Sequence, residues 1–207
     1  MPRLWSLLGS AVLSGCSTFG IRGGYEQPPY RVVARLDTVE VRRYGPRLVA
    51  EVTVDGTDER AARSEAFRLL AGYIFGGNRG KVDVAMTSPV AVDRGKQQIA
   101  MTSPVETAAA GDRLTMRFFL PSRLTLDTAP QPDDPRVRLR VVPGETLAVL
   151  RFSGFADDTG ARRAELLRAL DGSPWRPTGD VTAMFYDPPW TIPFLRRNEV
   201  AVPVAPR

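Results

Sequence analysis

The side chains in this sequence that could do chemistry are few in kind. Met86 and Met101 hold equivalent places in a doubled segment. Val84-Ala85-Met86-Thr87-Ser88-Pro89-Val90 returns as Ile99-Ala100-Met101-Thr102-Ser103-Pro104-Val105, with six identical residues fifteen positions apart. Their unbranched, polarizable thioethers suit an adaptable apolar pocket or an ordinary core. A second cluster lies near the C-terminus, in Asp187-Pro188-Pro189-Trp190-Thr191-Ile192-Pro193-Phe194-Leu195-Arg196-Arg197-Asn198-Glu199-Val200. There Trp190, Phe194 and Leu195 supply apolar area, and Arg196 and Arg197 carry guanidinium groups that pair with carboxylates in bidentate fashion. That segment reads as the wall of a pocket for an amphipathic ligand, or as an aromatic lid over the core. Glu106 and Glu199 could do acid–base work, but no spacing marks them as a catalytic pair.

Two absences narrow the chemistry further. There is no histidine, which removes Ser-His-Asp and Cys-His catalysis, histidine-ligated zinc and the usual proton shuttle near pH 7. There is one cysteine, Cys16, so no disulfide can form within one chain.

The elements that must position these groups follow from periodicity. Tyr30–Leu36 and Thr38–Tyr44 are rich in β-formers, and Arg47–Val54 places Leu48, Ala50, Val52 and Val54 on one face. A helix capped around Thr57-Asp58 runs to Gly76-Gly77, with Ala62, Ala66, Leu69, Leu70 and Tyr73 at helical spacing. The two Met-Thr-Ser-Pro copies read as extended segments joined by the turn Asp93-Arg94-Gly95-Lys96, since proline ends each ladder.

A gapless shift of 98 residues superimposes Val41 on Leu139, Ala50 on Ala148, Leu69 on Leu167 and Gly56 on Gly154. The unit read from it is strand–strand–helix–strand–strand, used twice, with Asp157–Leu170 as the second helix. The fold class expected is α+β: a distorted antiparallel sheet or barrel with two helices, in halves of about 30–121 and 136–207. Pro121–Pro135, with four prolines, reads as the linker between halves.

Composition fits one globular domain. The 207 residues are 43% hydrophobic and 25% charged, enough for a sizeable core. The excess of 28 basic over 23 acidic residues is nearly all arginine, interspersed with acids and without a basic run, so nucleic acid is not an expected partner. Residues 1–15 read as an export signal: Arg3 is the positive region and Leu4 to Val12 the apolar one. That stretch falls short of the roughly 20 apolar residues that span a bilayer. Leu13-Ser14-Gly15-Cys16 resembles the lipobox of bacterial lipoproteins. The resemblance implies cleavage before Cys16, acylation of its thiol, and a tether over residues 16–29. With Ser17 next, it implies the cell envelope, outer membrane facing the periplasm. The alternative is a plain secretory signal.

Several long motifs then carry a wider resemblance. The doubled Met-Thr-Ser-Pro-Val, the Met116–Pro121 strand, Val149-Leu150-Arg151-Phe152-Ser153-Gly154 and the Pro-Pro-Trp-Thr-Ile-Pro-Phe-Leu-Arg-Arg-Asn-Glu-Val ending resemble the SOUL haem-binding family, from about Tyr25 to Val204. The resemblance implies a distorted antiparallel barrel of two similar halves that binds haem or another tetrapyrrole. It implies an apolar surface beside the first helix, where Leu69, Leu70 and Tyr73 join Met86, Met101, Trp190, Phe194, Arg196 and Arg197 as ligand-binding candidates. Arg63 and Arg68 lie on that helix. With no histidine, iron ligation would fall to a thioether (Met86 or Met101), the Tyr73 phenol, water or nothing. The expected function is a membrane-anchored binding protein for a tetrapyrrole or similar bulky apolar molecule: a carrier, sensor or scavenger. A hydrolase using a cleft carboxylate and an envelope-structural protein are the alternatives.

Overall fold

Runs of β-branched and aromatic residues broken by Gly, Pro and Asp give this chain short antiparallel strands and two helices, which is the α+β class expected. The computed structural model describes residues 25–56, 58–95, 113–155, 159–188 and 190–207. Cys16 and the expected leader, most of the tether, and Met101 and Glu106 in or beside the second Met-Thr-Ser-Pro copy lie outside the described residues.

The strands are β1 (Tyr30–Leu36), β2 (Val39–Tyr44), β3 (Arg47–Asp55), β4 (Val90–Gly95), β5 (Arg113–Phe119), β6 (Arg138–Val142), β7 (Glu145–Phe152), β8 (Trp175–Pro177), β9 (Thr182–Phe185) and β10 (Asn198–Pro206). The helices are α1 (Glu59–Ile74) and α2 (Thr159–Leu170). They form two compact units. The first draws on residues 25–45, Thr87–Pro89 and Glu145–Arg207; the second takes Pro46–Met86 and Val90–Gly144.

In the first unit the strand order is β1-β2-β7-β10-β9, with β8 also on β10, and each pair is antiparallel. Strand alternation puts Val39, Val41, Ala148, Leu150, Phe152, Val200 and Val202 on one face, where Leu166 and Leu170 of α2 cover them. In the second unit the order is β4-β5-β3-β6, again antiparallel. α1 covers the face of Ala50, Val52, Val54, Leu114, Met116 and Phe118, all buried. Asp58 starts α1 by accepting from the backbone N–H of Arg60 and Ala61 at 2.9 and 3.3 Å. The opposite face carries an ion ladder: Arg117 bonds Glu51 at 2.6 Å and also Asp93, and Arg140 bonds Glu51 at 2.9 Å.

Three expectations change on inspection. The buried stripe of α1 is Ala62, Ala66, Leu70, Tyr73 and Ile74, and Leu69 is only half-buried. In α2, Leu166 and Leu170 are buried while Leu167 is 39% exposed, so the buried positions of the two helices lie two residues off the sequence match. Two residues turn a helix by about 200°, which a gapless comparison of similar apolar letters does not register. The compact units also cross the sequence halves. β2 pairs with β7 in one, and β6, which follows the proline-rich stretch, pairs with β3 in the other.

That stretch is more than a linker. Tyr73 Oη donates to Pro130 O at 3.0 Å, Arg79 N to Gln131 O at 2.8 Å, and Asp133 N to Gly77 O at 3.1 Å. Glycine is needed at 77, because an added Cβ would stand 2.6 Å from Gly72 O.

Candidate functional site

The outward face of α1 is the first candidate. Phe67 falls off the buried stripe by helical spacing, and it is 45% exposed while its ring meets Phe118 edge-on at 5.5 Å. Arg60 and Arg63 precede it by two turns and one turn on that side, and Arg68 flanks it, exposed. Arg63 Nη2 donates to Glu59 Oε1 at 2.6 Å. The arrangement is a fixed aromatic ring with cations beside it, which suits a flat apolar molecule bearing carboxylates.

Tyr73 and Leu70 lie beneath, in the core, at 2% and 0% exposed. Burial pushes the Tyr73 phenol up to about 12, and its hydroxyl is engaged by Pro130 O. A phenolate is therefore not available there near neutrality. Met86 is half-buried.

The first unit presents a different surface in the loop between β9 and β10. Pro193–Leu195 is one turn of 3-10 helix, and Arg197 N donates to Asp187 Oδ2 at 2.6 Å, closing the base of the loop. Trp190 and Phe194 point outward, 66% and 73% exposed. Arg196 Nε donates to Thr191 O at 2.7 Å, and its guanidinium lies 5.6 Å from the centre of the Phe155 ring.

Arg197 turns the other way, into a buried ionic cluster on the sheet face opposite α2. Glu199 on β10 is fully buried, and its two oxygens accept four hydrogen bonds. Oε1 takes Arg197 Nε and Nη2 at 3.1 and 2.8 Å; Oε2 takes Arg42 Nη1 at 2.9 Å and Tyr186 Oη at 2.6 Å. Burial and then the Glu199 charge hold the Tyr186 phenol well above its ordinary range, so it stays protonated and donates. Burial pulls the Arg42 guanidinium down, but the Glu199 charge together with Tyr44 and Tyr30 more than offsets it. Arg42 also lies 4.4 Å from the Tyr30 ring centre, and Arg197 Nη1 donates to Gln27 Oε1 at 3.2 Å.

The sequence profile of the SOUL heme-binding protein family matches residues 25–203. This chain belongs to the SOUL heme-binding protein family. Heme-binding protein 1 of Mus musculus is 31% identical over 159 residues, which cover 75% of this chain and 77% of that protein. Among solved structures, the EcmrR C-terminal domain has a TM-score of 0.61 at 10% identity, covering 86% of this chain and 99% of that one. A hydrolase from Listeria innocua has a TM-score of 0.54 at 14% identity, covering 84% and 94%. At such identities the likeness is one of fold alone.

In this SOUL protein the residues singled out from the sequence fall into separate environments. Leu69, Leu70, Tyr73 and Met86 belong to the second unit, and Trp190, Phe194, Arg196 and Arg197 to the first. Within the first, Arg196 and Arg197 diverge, one to the aromatic loop and one to Glu199. The sequence reading passed over Phe67, Arg42 and Tyr186. Phe67 had a usable signal, being a large apolar residue outside the helical stripe. Arg42 had none: its strand alternation is that of an ordinary half-exposed strand, and only the paired strands reveal a carboxylate opposite.

Proposed function

We propose that this SOUL protein binds haem or a related tetrapyrrole on the outward face of α1, from a lipid anchor at Cys16 in the cell envelope. Family membership supports the ligand class. The single observation that carries the location is Phe67, exposed yet fixed against Phe118 and bordered by Arg60, Arg63 and Arg68. The residues fit the macrocycle: a flat apolar ring stacks on an aromatic platform, and guanidinium groups meet its carboxylates. They do not supply imidazole, since the chain has no histidine, and Tyr73 is held as a neutral phenol. Of the two thioethers named from the sequence for iron, Met86 lies within the described residues and is half-buried. Affinity then rests on buried apolar area and on carboxylate pairing, and only weakly on the metal.

A hydrolytic role would need a carboxylate with a lone pair open to substrate. Glu199 accepts four hydrogen bonds on two oxygens, which is about the full capacity of a carboxylate. A binding role, as carrier, sensor or scavenger, is the better reading.

The test is titration of the full chain with haemin and with metal-free protoporphyrin. Both should bind within about tenfold of one another, and Phe67→Ala should weaken both about tenfold, or about 1.4 kcal/mol. Tight haemin binding with no binding of the metal-free ring would show that iron ligation dominates. Unchanged affinity in Phe67→Ala would remove α1 as the site.

A further inference from the structure

Phe155, Trp190 and Phe194 have no part in the reading above, yet they are 57%, 66% and 73% exposed. Exposed aromatic residues gathered at one place mark a contact surface. They sit on two loops joined by hydrogen bonds: Gly154 N donates to Pro193 O at 3.0 Å, and Asn198 Nδ2 to Gly154 O at 3.1 Å. Gly154 makes this approach at φ 122°, a conformation that favours glycine. Arg196 lies between the loops, over Phe155 and bonded to Thr191 O. Pro188, Pro193 and the Asp187–Arg197 bond hold the loop, so the aromatic rings are displayed with little conformational freedom to lose. Aromatic rings beside an arginine, whose stem is apolar and whose head seeks water, match the chemistry of the bilayer interface.

The place where the chain enters the fold decides the occupant. Gln27 Oε1 accepts from Arg197 Nη1 at the base of this loop. Gln27 stands eleven residues after Cys16, and eleven residues reach at most about 40 Å. We infer that Phe155, Trp190, Phe194 and Arg196 seat the first unit on the surface of the bilayer, beside the lipid anchor. The inference rests on the anchored reading of Cys16 given above. The rings enter the headgroup–acyl boundary, about 5–10 Å deep.

The test uses the full chain carrying Trp5→Phe, which leaves Trp175 and Trp190 as fluorophores. The sole cysteine, Cys16, is coupled to a maleimide-headgroup lipid in phosphatidylcholine vesicles brominated on the acyl chains. Bromine should quench the emission, and Trp190→Phe should reduce that quenching at least about threefold, as expected for a ring at the interface. Phe155→Ser and Phe194→Ser should each reduce it about twofold, with the near-ultraviolet circular dichroism of Trp175 unchanged. Trp190 left open to aqueous iodide and untouched by bromolipid overturns the inference. Protection of Trp190 without vesicles, growing with protein concentration, assigns the patch to a second copy and also overturns it. Chemical coupling supplies the tether whether or not cells do, so palmitate labelling of Cys16 tests the anchored reading separately.

Discussion

Changing Glu199 to Gln should destabilise the first unit out of proportion to the single atom replaced. Glu199 and Arg42 have side chains 0% and 4% exposed, so water screens their attraction little. The amide keeps the shape of the carboxylate but removes the negative charge from two guanidinium groups and turns a donor toward one of them. Removing one partner of a buried ion pair costs about 3–5 kcal/mol, because the other charge is left uncompensated. For a chain of this size that is a fall in Tm of roughly 6–20 °C. Urea unfolding followed by tryptophan fluorescence measures it, with an unchanged m-value showing that stability alone has moved. Glu40, which also pairs with Arg42 but is 27% exposed, serves as the comparison. Glu40→Gln should cost less than about 1 kcal/mol. Arg42→Met combined with Glu199→Gln should recover part of the loss, since one of the two guanidinium groups left uncompensated is then removed. A cost below about 1 kcal/mol for Glu199→Gln would refute the reasoning, by showing that the buried guanidinium groups do not depend on this carboxylate.

Leu70→Ala and Leu166→Ala should each cost about 2–5 kcal/mol in urea unfolding, and Leu167→Ala less than about 1, because only the first two are fully buried. Burial alone would raise the Glu51 carboxyl, but hydrogen bonds from Arg140 and Arg117 hold it below its ordinary value. Its contribution is therefore complete above the unfolded-state pKa and is lost as pH falls through the lower folded value. Glu51→Gln should flatten the dependence of Tm on pH between about 5 and 2. Cys16→Ser should abolish incorporation of radiolabelled palmitate; label that survives the change would place the acyl group elsewhere.

Most strands, both helices and the family were legible in the sequence because each rests on local information. The turn read at Asp93-Arg94-Gly95-Lys96 was not one, since Val90–Gly95 pairs with β5 as strand β4. Alternation marked Thr38–Tyr44 and Arg47–Val54 as strands, which the structure has as Val39–Tyr44 and Arg47–Asp55, and the 3.6-residue period with Thr57-Asp58 ahead of it marked α1. The long C-terminal motif carried the SOUL resemblance, and the absence of histidine set the ligand question before any geometry was known. Which side of an element meets what is a different kind of information. Leu69 and Leu70 are equivalent letters, and only packing on the sheet buried the second and left the first half-exposed. Arg196 and Arg197 are adjacent, and strand geometry sent one over Phe155 and the other to Glu199. The Arg42–Glu199 pair joins residues 157 positions apart through β2-β7-β10. A local pattern can specify φ, ψ and an apolar face, because those depend on neighbours in the chain. A buried charge pair depends on two distant strands sharing one face, and only the assembled sheet decides that.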